Sequence, residues 1–122
     1  MATGKSVSEF SLKFTSLTYS PGLGGSVIIQ ANYEGTGTGF GTIQGTGTFV
    51  GAKSGTFSVC TAAYLDDGEQ LSAAGSGTYE SSGKHRWRTQ GFVQISDGRL
   101  LASEGEIDLA TKSWKGKLSE RS

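Results

Sequence analysis

The sequence predicts an all-β fold, a single meander of eight antiparallel strands closed into a small up-and-down β-barrel. Three observations carry this. Apolar and polar residues alternate with period two almost throughout, and helical periodicity is hard to find. Twenty glycines and one proline accompany β-branched and aromatic residues, a composition of strands joined by tight turns. Turn signals recur at short, regular spacing without a linker or long insertion. The 122 residues are read as one domain, 1–122.

Strand one covers Val7 to Tyr19. Phe10, Leu12 and Phe14 share one face and Leu17 and Tyr19 the other, a phase change that predicts a bulge near Thr15-Ser16. The loop Ser20 to Gly25 holds the only proline. Strand two runs from Ser26 to Gly35, strand three from Phe40 to Val50, strand four from Thr56 to Leu65 and strand five from Gln70 to Glu80. Strands six, seven and eight are Lys84–Ile95, Arg99–Leu109 and Ser113–Ser119.

Turn chemistry then sets the register. Asp66-Asp67-Gly68, Ser81-Ser82-Gly83 and Ser96-Asp97-Gly98 each read x-x-Gly, the form of a three-residue hairpin loop whose last residue is left-handed. Such loops pair Leu65 with Glu69, Glu80 with Lys84 and Ile95 with Arg99, so odd residues face odd residues. The odd residues are also the more apolar set on strands four to seven. A two- or four-residue loop at Ala110-Thr111 flips parity and sets Ile107 opposite Trp114, so strand eight buries Trp114, Gly116 and Leu118. On the outside, Arg88 falls opposite Glu106 and Arg86 opposite Asp108.

This register lets the inner wall be written row by row. The first row is Phe49, Phe57, Gly77, Trp87, Ile107 and Trp114; the second is Gly47, Val59, Gly75, Thr89, Gly105 and Gly116. The third is Gly45, Thr61, Ala73, Gly91, Ser103 and Leu118, and the fourth Ile43, Ala63, Leu71, Val93 and Leu101. Tyr79, His85 and Leu109 are expected beyond the first row, near one rim. The expectation is thus a waist of small residues between an aromatic end and an aliphatic end. Either the aromatics fold over the glycines and fill the waist, or the waist is an apolar cavity with sparse polar contacts. In the second case Phe49, Phe57, Thr61, Trp87, Thr89, Ser103 and Trp114 bind the ligand.

Composition narrows the function classes. Lys plus Arg and Asp plus Glu are both 11, so neither the basic excess of a nucleic-acid binder nor a polybasic membrane patch is visible. One cysteine, Cys60, excludes an internal disulfide and suggests a reducing cytoplasm. Met1 to Phe10 is too polar for a signal peptide, and no apolar run reaches membrane-spanning length. Hence no nucleic acid and no membrane are expected as partners. The outer face of strands four and five (Ser58, Cys60, Ala62, Tyr64; Ser72, Ala74, Ser76, Thr78) is small and weakly charged, which suits a homodimer or homotrimer as well as an ordinary exterior.

No motif demands a metal or cofactor. Asp66-Asp67-Gly68-Glu69 lacks the remaining positions of a calcium loop, and His and Cys do not cluster. Thr3-Gly4-Lys5-Ser6 echoes the end of a P-loop without its glycine-rich turn, and Gly35 to Gly41 continues strand alternation where a dinucleotide fingerprint must open a helix. For catalysis, His85, Tyr79 and Tyr33 are the polar groups to test. His85 is expected to face inward beside Tyr79, without a mapped acidic partner.

The segment Gly45-Thr-Gly-Thr-Phe-Val-Gly-Ala-Lys-Ser-Gly-Thr-Phe57 resembles the Gly-x-Gly-x-Phe-x-Gly-Ala-x-x-Gly hairpin of allene oxide cyclase-like barrels. The same hairpin occurs in dirigent proteins and small bacterial families. The resemblance implies a calycin-like barrel, often dimeric or trimeric, with an apolar cavity in which relatives steer cyclisation or coupling of reactive apolar intermediates. None of that family's catalytic polar residues matches a position here. The expected function is therefore binding of a small apolar or aromatic molecule, with cyclase or isomerase activity on one hand. On the other stands a non-enzymatic carrier or an interaction module with a filled core.

Overall fold

The computed structural model describes residues 5–120. Thr3 and Gly4 of the P-loop-like tetrapeptide lie outside them. Eight strands close in sequence order into an antiparallel barrel: β1 Ser6–Pro21, β2 Val27–Gly37, β3 Gly41–Gly51, β4 Ser54–Tyr64, β5 Gln70–Gly83, β6 Arg86–Ile95, β7 Leu100–Asp108 and β8 Ser113–Glu120. One turn of 3-10 helix, Leu23–Gly25, links β1 to β2. The up-and-down order and strand count are those the alternation predicts.

The bulge in β1 falls between Phe14 and Ser16. It does more than change phase. The extra residue turns the strand so that Leu17 and Tyr19 continue on the inner face begun by Phe10, Leu12 and Phe14, opposite Ala31 and Ile29 of β2. Outside, Asn32 steadies the bulge. Its amide donates to Ser16 Oγ at 2.9 Å, and its Oδ1 accepts from Thr46 Oγ1 at 2.7 Å.

Most of the predicted register is present. Phe49 faces Phe57, Gly47 faces Val59, Val59 faces Gly75, Trp87 faces Ile107 and Ile107 faces Trp114. The β4–β5 and β6–β7 loops are closed as predicted: Leu65 N–H donates to Glu69 O at 2.9 Å and Ile95 N–H to Arg99 O at 2.8 Å. Gly68 and Gly98 take the left-handed conformation at φ 94° and 101°. Arg86 lies opposite Asp108 and Arg88 opposite Glu106.

The β5–β6 hairpin departs from prediction. Glu80 faces Arg88 and not Lys84, and Gly77 faces Gly91 and not Trp87. β5 runs on through Ser81 and Ser82 to Gly83, and the turn is Lys84-His85, with His85 at φ 57°. The new register keeps odd residues opposite odd residues, so inside–outside alternation cannot distinguish the two. Backbone proximity does. A Cβ on Gly77 would sit 2.7 Å from Gly91 Cα, so this crossing requires a glycine pair. Gly105 and Gly116 face each other in the same way between β7 and β8. These glycines admit the neighbouring strand's backbone where the small barrel curves, rather than a ligand.

Candidate functional site: two apolar chambers and an aromatic partition

The interior is organised around Trp114 on β8. Its ring meets Phe10, Phe14, Tyr33, Phe49 and Phe57 with centroid separations of 6.1, 6.2, 5.8, 5.6 and 5.6 Å. Most of these contacts are edge-to-face, the geometry favoured by the ring quadrupole. The indole N–H donates to Thr89 Oγ1 at 3.1 Å, and Thr89 is almost fully buried. The small residues around this cluster give the rings room: a Cβ on Gly105 would lie 3.1 Å from Trp114 Nε1 and 3.2 Å from Phe10 Cζ. Side chains reaching across from β1, β2, β3, β4 and β8 therefore fill the waist in part, while its row of Thr61, Ala73, Ser103 and Leu118 walls a pocket.

Two pockets flank this partition. The smaller, about 90 Å³, faces the β2–β3 and β4–β5 turns and is lined by Ile43, Ala63, Leu71, Val93, Ile95 and Leu118 together with Tyr33, Phe57, Thr61, Ser103 and Trp114. Phe40 folds over that end, with the Arg99 guanidinium 5.2 Å above its ring. Asp97 holds the guanidinium at 2.9 Å, and this bond draws the Asp97 carboxyl below its ordinary range.

The larger chamber, about 240 Å³, lies at the opposite end. Phe14 and Phe49 form its floor, and Leu17, Ile29, Ala31, Ile107 and Trp87 its walls. Tyr19, Val27, Ala52, Tyr79 and Leu109 surround its upper part. For scale, an engineered apolar cavity of about 150 Å³ accommodates benzene. No charged side chain lines either chamber.

The sequence-predicted site residues are divided by the partition. Phe57, Thr61, Ser103 and Trp114 border the smaller chamber, and Phe49 and Trp87 the larger. Thr89 borders neither, its hydroxyl being engaged by Trp114. Trp87 reaches the larger chamber because the β5–β6 register carries it outward, opposite Ser81.

Of the polar candidates, Tyr33 is buried, with its hydroxyl 2.5 Å from Thr61 Oγ1. Removal from water pushes its phenol up to about 12, against a smaller lowering by the Thr61 bond. Tyr79 is also buried, packs edge-on against Phe49 at 5.8 Å and is raised by desolvation. His85 is the correction among these residues: it sits exposed in the two-residue turn, not inside beside Tyr79, which pairs with Thr89. The left-handed position at residue 85 turns its side chain out of the inner rows.

Sequence reasoning missed the β1–β2 contribution, namely Phe14, Leu17, Tyr19, Ile29 and Ala31. The signal was the phase change itself, which marks a bulge and, with it, a continued inner face. No protein-family model, curated protein or solved structure matches the chain. Among the described residues no group of His, Cys, Asp or Glu side chains is arranged to hold a metal ion, and no helix is long and apolar enough to cross a membrane.

Proposed function

We propose that the protein binds a small, uncharged apolar or aromatic molecule in the larger chamber. The observation that carries this reading is the chamber itself: about 240 Å³, walled by apolar and aromatic side chains, without a charged group. Burial of an aromatic ligand there gains roughly 25 cal/mol per Å² of apolar surface removed from water. Phe49 and Trp87 offer ring faces and edges, and Tyr19 and Tyr79 are the lining residues that carry hydroxyls.

The lining favours binding over turnover. General acid–base catalysis needs a group poised near the working pH. The two phenols of the interior are both raised by burial, so they act as neutral hydrogen-bonding groups. A cyclase or isomerase role would rest on confinement and orientation of a reactive ligand. The resemblance of Gly45–Phe57 to allene oxide cyclase-like hairpins supports that finer reading, and the exposed thiol of Cys60 suits a reducing compartment.

The test is thermal unfolding and calorimetric titration with toluene, indole and naphthalene. Saturating ligand is expected to raise Tm, by the linkage between binding and folding. Ile29→Trp, which fills the chamber from its wall, is expected to abolish the shift. Wild-type protein that neither shifts nor releases heat with any of the three would remove the proposal.

A further inference from the structure

We propose that the end of the barrel around the larger chamber docks on an anionic lipid bilayer. The up-and-down topology brings the β1–β2, β3–β4, β5–β6 and β7–β8 turns to one end. The first turn is Gly22-Leu23-Gly24-Gly25, and it presents Leu23 to solvent at 94% exposure. Tyr19 is 57% exposed beside it, with Val27 and Leu109 also exposed at the chamber's rim. Val50 is exposed on the outer face of β3, opposite Ile28 and one step from Val27. The only other exposed large hydrophobics among the described residues, Tyr64 and Phe92, lie on the outer faces of β4 and β6.

The remaining turns of this end supply positive charge: Lys53 between β3 and β4, Lys84 between β5 and β6, and Lys112 between β7 and β8. All three lysines are exposed and none makes an ion pair among the described residues. Backbone bonds hold these turns to their neighbours, Ser81 N–H to Lys53 O, Leu109 N–H to His85 O and Phe14 N–H to Lys112 O. Of the acids near this end, Asp108 lies 3.7 Å from Arg86 and Glu80 4.0 Å from Arg88, while Glu106 accepts from Ser82 Oγ at 3.5 Å and offsets part of the positive charge. At the far end stand Asp66, Asp67 and Glu69 in a single turn. The zero net charge thus hides a polarised molecule, basic at the apolar rim and acidic opposite.

An apolar residue projecting from a turn, ringed by lysines on snorkelling stems, matches a bilayer interface carrying anionic headgroups. A water-exposed Leu on a glycine-flanked turn gains by insertion into the acyl boundary, and each lysine gains from the negative surface potential. Charge complementarity selects this occupant over a second copy, whose own lysines would oppose the same face across a two-fold contact. The docked orientation opens the larger chamber toward the bilayer. The docking argument itself stands on the rim and not on the ligand reading.

The experiment is co-sedimentation of the whole chain with vesicles of phosphatidylcholine alone and of phosphatidylcholine with one-third phosphatidylserine. Binding is expected to the anionic vesicles and to weaken as salt rises. Lys53→Gln, Lys84→Gln and Lys112→Gln are each expected to weaken it about fivefold, and about a hundredfold together. Leu23→Ser, at a side chain almost wholly in water, is expected to lower it at least about tenfold. Failure of the wild type to pellet with anionic vesicles at low salt overturns the proposal, as does Leu23→Ser pelleting like wild type. So does a dimer in solution that Leu23→Ser disperses while no vesicle binding is seen. Since toluene, indole and naphthalene are absent from this assay, its failure leaves the chamber reading to be judged by its own titration.

Discussion

Tyr33 and Thr61 show how one buried polar pair constrains the interior. The hydroxyls lie 2.5 Å apart in a mostly apolar wall. Burial pushes the phenol up to about 12, above the ordinary value of about 10. The raised value means the folded state keeps the proton longer than the unfolded chain does. The resulting stabilisation is complete below pH about 10 and is lost as pH rises from there through about 12. Spectrophotometric titration of tyrosinate should show a late-titrating component from the buried phenols, of which Tyr33→Phe removes the Tyr33 part and leaves that of Tyr79. Thr61→Val should cost about 1–3 kcal/mol in denaturant unfolding, because Tyr33 loses its partner. Thr61→Val added to Tyr33→Phe should cost much less. Equal costs in the two backgrounds would show that the pair does not interact.

At the scale of elements, the β5–β6 hairpin is the sharpest test of what sets register. The x-x-Gly signal places Gly83 in the left-handed position, whereas His85 occupies it at φ 57°. Gly83→Ala should therefore change stability by less than about 0.5 kcal/mol, its nearest new contact being Arg86 Cδ at 3.9 Å. His85→Gly should be neutral or stabilising by about 1 kcal/mol, since a left-handed residue with a Cβ is strained. Gly77→Ala should destabilise by about 1–3 kcal/mol, because its methyl would enter the space of the β6 backbone. A costly Gly83→Ala with a tolerated Gly77→Ala, read by urea unfolding, would restore the three-residue loop. The other two x-x-Gly loops were legible because a single glycine sits where parity and backbone bonding agree. At Ser81–Gly83 parity alone was available, and it is blind to a shift of two residues along each strand.

For the whole molecule, the aromatic partition decides how the interior is used. Trp114→Ala removes the side chain on which Phe10, Phe14, Tyr33, Phe49 and Phe57 converge. It should cost about 3–5 kcal/mol, the usual loss for a large buried ring. It should also join the two chambers, so that the folded variant takes up probes longer than naphthalene. Calorimetric titration with a two- and a four-ring hydrocarbon would show this as relaxed size selection. Unchanged selection would mean the wall is held by the remaining rings. The polarised ends belong to this scale as well. Lys53, Lys84 and Lys112 are far apart in the chain and reach one end only because alternate hairpin turns do so.

Sequence by itself determined the barrel, the bulge, the inward set on strands three to eight apart from His85, and most of the register. Those properties follow from period-two alternation and local turn chemistry, which short stretches of chain carry in full. It also marked Tyr33, Thr61, Trp87 and Trp114 as inner or polar candidates without saying which would share a cavity. Tertiary structure alone decided that Trp114 partitions the interior, that the candidates fall on two sides of it, and that three lysines share one end of the barrel with Leu23. Each of these depends on distances across the barrel or around its rim. Such distances are set by closure, strand stagger and the glycine crossings at Gly77–Gly91 and Gly105–Gly116, not by the order of residues along any one strand.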